Sequence, residues 1–310
     1  MPKPILPDDV SPDMRVGKLA SLLIAAKVEE VARYADAAMS GDVDGVHDMR
    51  VAVKRLREGM RVFSQLLPGK HRKRTMPMVE DLNDALGRVR DPDVMAEHAR
   101  ALLEHAPEAA DAVEAVIAGW EKTRAREHEA LVRRWRRMVD RDDIYGRLES
   151  LVDRVAARKR DVNRLRADSY AYVGITERMG VLSERLQAAR EDPAPEVLHR
   201  LRLGIKRLKY TMEPFLKLLP DLKAPYEVVS DAQETLGLTH DFDALRDALI
   251  AGFDTVGAVD TTDGQSSPPG VDAALEALDR QRAVHYDESL ALMEQLGTRR
   301  WRASVLRAFD

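Results

Sequence analysis

Cysteine is absent from the 310 residues. That excludes disulfides, thiol nucleophiles and Cys-ligated zinc or iron–sulfur sites, and it fits a reducing compartment. Aromatic residues make up only 5% of the chain, and β-branched residues are sparse, which argues against a β-sandwich or barrel. No apolar run approaches the ~20 residues that span a bilayer. The most apolar stretch, Leu19 to Ala26, is followed at once by Lys27, Glu29 and Glu30. The first fourteen residues carry Pro2, Pro4, Pro7, Asp8 and Asp9 and lack the apolar centre of a signal peptide. A soluble cytoplasmic chain is expected. Glycine-rich phosphate loops, nucleophile elbows and HExxH pairs are also missing.

What is present is charge and helical periodicity. Charged residues form 33% of the chain, yet Lys and Arg (49) nearly balance Asp and Glu (53), for a net charge of −4. General coating of nucleic acid is therefore not expected, although a balanced total can conceal a local patch. Apolar residues recur at helical spacing almost throughout, and no stretch sustains a period of two. The pattern predicts helices over about 13–39, 46–67, 73–90, 92–106, 108–139 and from 143. A second series covers 165–190, 195–220, 226–239, 242–250, 271–296 and 299–309. Asp42 or Asp44 is a plausible cap for the second helix, and Asp91 and Asp241 are expected to cap short helices. The segment 252–270, rich in Gly, Ser and Pro, reads as a solvated flexible loop.

The second series repeats the first. With His47 placed on His199, an offset of 152, ten identities fall between His47 and Pro68 without a gap. They include Arg50 with Arg202, Lys54 with Lys206, Met60 with Met212 and Phe63 with Phe215. After a shift of two, Leu86-Gly87 matches Leu236-Gly237, and Asp91 and Asp93 match Asp241 and Asp243. The chain thus divides into two tandem helical halves, 1–160 and 161–310.

Helix geometry assigns the repeated residues to faces. At about 100° per residue, His47, Arg50, Lys54, Arg57 and Arg61 share an arc of about 80°. Val46, Met49, Val53, Leu56, Met60 and Phe63 form the apolar arc beside it. In the second copy His199, Arg202, Lys206 and Lys209 take the basic arc, and Glu213 stands where Arg61 would be matched. An ordinary solvated face mixes signs to gain i,i+4 pairs; this one stacks like charges twice. From His47 to Arg74 nine basic and two acidic residues give +7, and from His199 to Lys209 five basic residues give +5, leaving −16 on the rest. Segregation of that kind points to an anion site on an acidic body. Arg forks grip phosphate oxygens at two points and Lys adds a mobile charge. Free N–H groups near His47 and His199 at the helix starts add to this.

These residues resemble the CHAD domain, the conserved histidine α-helical domain. The likeness rests on Val46-His47-Asp48-Met49-Arg50-Val51-Ala52-Val53-Lys54-Arg55-Leu56-Arg57, on Leu86-Gly87-Arg88-Val89-Arg90-Asp91, on His199 to Tyr210, and on Leu236-Gly237 with Asp241. The resemblance implies an all-α fold of two helical bundles related by a pseudo-twofold axis, with basic helices lining a shared surface. It implies non-catalytic binding of inorganic polyphosphate and possible attachment to polyphosphate granules. The matching positions are His47, Arg50, Lys54, Arg57, His199, Arg202, Lys206 and Lys209. Arg61, Arg90 and His240 are further candidates. The family is often fused to a CYTH triphosphatase domain, but no Glu-x-Glu-x-Lys element opens this chain, and none is expected here.

Two rival functions use the same residues. One is a metal-dependent phosphohydrolase acting on phosphoanhydrides, drawing on Asp91/Asp93, Asp241/Asp243 and the His47-Asp48 and His240-Asp241 pairs. It needs further converging ligands that the spacing does not supply. The other is a nucleic-acid-binding module, disfavoured by net acidity and few aromatics for base stacking. No metal, cofactor or membrane partner is expected. Trp120, Trp135 and Trp301 are expected to be packing anchors, and Met60 and Met212 core fillers.

Overall fold

A computed structural model describes residues 5, 7–192, 194–255 and 270–310, and every regular element among them is helical. The helices are α1 (Val16–Ser40), α2 (Val43–Val62), α3 (Gly69–Leu102), α4 (Ala110–Asp140), α5 (Ile144–Ala156), α6 (Asp161–Arg164), α7 (Ala167–Glu191), α8 (Pro195–Met212), α9 (Lys223–Thr255), α10 (Val271–Leu296) and α11 (Arg299–Arg307). The order and lengths repeat: α1 and α7 have 25 residues each, and α3 and α9 have 34 and 33.

The turn between α1 and α2 shows how sequence sets local structure. Gly41 ends α1 with φ 90°, a left-handed conformation that costs a residue with a Cβ, and its N–H bonds back to Ala38. Asp42 then caps α2 by accepting from the Gly45 N–H at 2.6 Å. At Gly45 a Cβ would lie 2.6 Å from Ala37, so the glycine lets α2 fold tightly onto α1. The segments leading into α1 and α7 meet each other. There Val16 N–H donates to Leu165 O, and Ala167 N–H donates to Met14 O, both at 2.8 Å.

Two apolar clusters form the interior, and each draws on both halves of the chain. The larger contains Leu19, Ile24, Met49, Met60, Phe63, Leu82 and Leu86 with Ile175, Ile205, Met212 and Phe215. The smaller joins Ala99, Leu102, Val113 and Ile117 to Leu245, Leu249, Phe253 and Leu278. Met60 and Met212 are fully buried, as expected of core fillers. Trp135 and Trp301 are buried too, and Trp120 packs against the smaller cluster. Along α3, α4, α9 and α10 the stretches between the two clusters are polar. They carry Arg90, Asp91, Asp93, Arg124, His240, Asp241, Asp243 and Arg282.

The sequence expectation of breaks at 91 and near 240 is wrong. Both α3 and α9 run straight through, so Asp91 and Asp241 sit mid-helix and cap nothing. Pro92 inside α3 forfeits a backbone hydrogen bond, a cost of about 3 kcal/mol in a helix interior. Burial of both ends of the same helix offsets it: Leu82, Leu86 and Val89 enter one core, Ala96, Ala99 and Leu102 the other. The expected loop also begins too early. Residues 252–255 are the last turn of α9, with Phe253 fully buried, and 256–269 lie outside the described residues. Finally, α2 and α8 end at Val62 and Met212. Short turns follow them, among them the 3₁₀ turns Glu213–Phe215 and Pro220–Leu222 after α8.

Candidate functional site

The two basic helices face one another. Their burial arcs are complementary, so Met49, Val53, Leu56 and Met60 on α2, and Leu201, Ile205, Leu208 and Met212 on α8, all enter the larger cluster. The adjoining basic arcs are thereby turned toward a common space. The Lys54 ammonium lies over the Tyr210 ring, 5.9 Å from its centroid, crossing from α2 to α8. Its pKa falls from 10.5 to about 8. Desolvation is the largest cause, followed by Lys206, Arg50, Lys209 and Arg57, all cations. Lys206 is lowered by desolvation and then by Arg57, with Glu58 opposing and Arg202 and Arg61 adding to the effect. Cations of α2 and α8 thus lie in one another's field: Lys206 acts on Lys54, and Arg57 and Arg61 act on Lys206. Among the described residues, Lys54, Arg202 and Lys206 have no carboxylate within ion-pair distance.

One end of the groove opens onto the polar layer between the cores. Arg50 pairs with Asp91 at 2.9 Å. The Asp91 carboxyl is pushed up by desolvation; Arg50 works against that rise, and Asp241 of the other half adds to it. His199 and His240 lie with ring centroids 6.5 Å apart. His47 is held below its usual pKa by desolvation and then by Arg90. His240 is lowered by desolvation and then by Arg202. Neither His47 nor His199 caps its helix; each is the fifth residue of α2 or α8. Asp93 and Asp243 pair with Arg124 and Arg282 across to α4 and α10. Among the described residues no group of three or more His, Asp or Glu side chains could hold a metal ion.

Not every predicted site residue offers an open charge. Arg57 is paired with Glu58 at 2.7 Å, and Arg61 with both Glu58 and Glu80. Arg90 lies between Asp93 and Glu97. Lys209 is only 9% exposed and donates to Gln233 Oε1 at 3.0 Å. Glu213, the departure from the basic pattern, sits 3.7 Å from Arg55. Among the described residues, His47, Lys54, His199, Arg202, Lys206 and His240 have no carboxylate within ion-pair distance, while Arg50 is paired with Asp91. Sequence reasoning missed Tyr210 and Glu58, which fall at the same point of the two helical wheels, about 20° beyond the basic arc. It also missed Asp91 as the partner of Arg50.

Comparison with known proteins agrees with this geometry. The CHAD domain profile matches residues 22–250. A crystal structure of the CHAD domain from the plant Ricinus communis superposes with a TM-score of 0.67 at 18% identity, covering 93% of each chain. PptA from Streptomyces chartreusis superposes with a TM-score of 0.56 at 15% identity, covering 96% of this chain and 99% of that one. No curated protein matches. Identities this low carry the fold alone, but the profile spans most of the sequence and includes both basic helices, so the chain belongs to the CHAD domain family.

Proposed function

We propose that this protein binds inorganic polyphosphate, without transforming it, in the groove between α2 and α8. The observation that carries the reading is the gathering of cations from both helices around the half-buried Lys54, whose pKa is brought to about 8 by desolvation first and then by Lys206, Arg50, Lys209 and Arg57. Like charges held together at a folding cost are what a polyanion site requires, because the ligand supplies the missing counter-charge. Arg50, Lys54, Arg202 and Lys206 contact the chain's oxygens, and His47, His199 and His240 join them at the open end.

The reading includes an architecture: two bundles related by a pseudo-twofold axis along the groove. One contact and two electrostatic influences support it, each between residues at matching positions: Phe63 meets Phe215, the charge of Lys206 lowers the pKa of Lys54, and the charge of Asp241 raises that of Asp91. The reciprocal hydrogen bonds of Val16 and Ala167 add a fourth. A cytoplasmic setting and attachment to polyphosphate granules belong to the same proposal.

Titration with polyphosphate of defined length beside pyrophosphate, ATP and duplex DNA tests it, with phosphate release followed in Mg²⁺ or Mn²⁺. Tight, length-dependent binding of polyphosphate without hydrolysis is expected. Metal-dependent phosphate release makes the protein a phosphohydrolase instead, and preference for DNA makes it a nucleic-acid binder.

A further inference from the structure

Two cavities flank the groove, one on each side of the Phe63–Phe215 contact. The first, about 250 Å³, is lined by Leu23, Lys27, Arg55, Phe63, Glu213 and Leu216, among others. The second, about 470 Å³, is lined by Arg61, Gly174, Arg178, Lys206, Arg207 and Phe215, among others. They occupy corresponding places in the repeat. With α1 and α7 offset by 151 and α2 and α8 by 152, Leu23 answers to Gly174, Lys27 to Arg178 and Arg55 to Arg207. In the reverse sense Glu213 answers to Arg61. The duplication has left two equivalent pockets whose chemistry has diverged.

The first pocket is neutral. Lys27 and Arg55 face Glu58 and Glu213 on its wall, and Lys27 is tied to the buried Glu30 at 2.7 Å. The second is cationic: Arg178, Lys206 and Arg207 line it with Glu58 and Glu177, and with Arg61, which is paired with Glu58 and Glu80. Glu58 is already engaged by Arg57 and Arg61. Where Glu30 would be repeated the chain has Val181, so the carboxylate that neutralises the first pocket has no counterpart. Among the described residues, neither Arg178 nor Arg207 has a carboxylate within ion-pair distance. Both also depress the neighbouring Arg185, whose pKa is lowered first by desolvation and then by Arg207 and Arg178. Gly174 in place of Leu23 widens the second pocket: a Cβ there would stand 3.6 Å from Thr211 with room beyond. Lys206 belongs to this pocket and to the groove at once.

We propose that the second pocket is a separate anion subsite that takes the end of a polyphosphate chain leaving the groove, so that the chain exits over α7 and α8 and not over α1. The inference rests on the groove reading and adds a direction to it. Arg178 and Arg207 grip oxygens of the emerging phosphates bidentately, and Lys206 hands the chain from groove to pocket. The subsite matters only to chains long enough to reach it, since its benefit comes through effective concentration.

The test is a length series, from triphosphate to chains of about a hundred phosphates, on wild type, Arg178→Glu with Arg207→Glu, and Gly174→Leu. The leucine transplants the first pocket's wall into the second without changing charge. Arg126→Glu with Arg133→Glu, at two exposed arginines of α4 that line neither pocket, makes the same net-charge change as the double pocket variant and serves as the Arg133 control. In wild type, affinity rises with length until the chain fills both groove and pocket. Both pocket variants are expected to bind triphosphate as wild type does, to level off at a shorter length, and to lose tenfold or more on the longest chains. Wild-type affinity for long chains in both pocket variants, or equal loss in the Arg133 control, overturns the subsite while leaving the groove standing. Absence of polyphosphate binding by wild type removes the groove reading and the subsite with it.

Discussion

Phe63 and Phe215, which occupy the same place in the two copies of the repeat, meet edge to face with ring centroids 6.0 Å apart. Phe63 also stacks on Tyr170 at 6.1 Å, and the Tyr170 hydroxyl donates to Val62 O at 2.9 Å. The floor between the two basic helices is therefore one aromatic cluster, wholly buried at both phenylalanines. It fixes the separation of α2 and α8 from below, while the cations above repel. A rigid apolar floor under a charged groove is what keeps the lysines from relaxing apart.

That opposition predicts a trade between stability and binding at Lys54. A fall from 10.5 to about 8 corresponds, at about 1.4 kcal/mol per tenfold, to roughly 3 kcal/mol against the charged form. Lys54→Met removes the charge and keeps most of the volume, at the loss of a cation–π contact of about 1 kcal/mol. The free protein is expected to gain about 1–2 kcal/mol, seen as a Tm higher by a few degrees, while polyphosphate affinity drops at least tenfold. A Tm that falls shows that the ammonium is stabilising where it stands.

The pH dependence has two limbs with the same cause, the raising of a depressed pKa by the bound anion. Anion binding restores the depressed pKa of Lys54, so binding takes up a proton above about pH 8 and affinity falls as pH rises from 7 to 9. Lys54→Arg, which stays charged, is expected to flatten this limb. His47 and His240 are held below 6.5 in the free protein, and the ligand reverses the effect of Arg90 and Arg202. Affinity therefore strengthens as pH drops through about 6.5, and His47→Ala with His240→Ala removes that gain. Stability of the free protein moves the other way. The unfolded chain binds more protons at each of these sites, so stability rises from pH 8 toward 10.5 and falls below 6.5. Calorimetry in buffers of different ionisation enthalpy measures the proton uptake directly.

Salt provides a separate check. A polyanion held by six to ten Lys and Arg side chains releases condensed counterions, and by analogy with nucleic acid the affinity drops by about a thousandfold or more between 50 and 200 mM salt. Fluorescence anisotropy across that range reads the slope. A flat response indicates a small ligand enclosed in a pocket, not a chain along a groove.

Much of this was legible in the sequence because it follows from periodicity. The helices, and the burial of Met49, Met60, Ile205 and Met212 on one face of α2 and α8, need only the 3.6-residue turn. What failed depended on partners distant in sequence. Asp91 before Pro92 has the local form of a cap, and only the partner across the helix pair, Arg50, shows that α3 continues through it. Lys209 lies in the basic arc, but Gln233 of α9 covers it. Arg61 carries the same charge as Lys54, yet Glu58 and Glu80 neutralise it. A helical wheel orders residues on one helix and says nothing of the carboxylates brought by its neighbour. Tyr210 and Glu58 were within reach, since both fall about 20° beyond the basic arc, beside His47 and His199 on the wheel.

The shared groove itself makes the strictest prediction. If Lys54 and Lys206 bind one chain, each reversal breaks the bridge between the halves. Lys54→Glu and Lys206→Glu are each expected to reduce long-chain affinity at least tenfold and to affect pyrophosphate much less, because only a long ligand gains from the second contact through local concentration. The double variant should lose less than the product of the two, since the second reversal acts on a site already disabled. Both side chains lie outside the apolar arc, and Met49, Met60, Ile205 and Met212 stay packed beneath them. Circular dichroism is therefore expected to show unchanged helicity, and it is the control to run first. Losses that multiply place the two lysines in independent sites. Long-chain affinity unchanged by either reversal removes the groove between α2 and α8 from the binding path altogether.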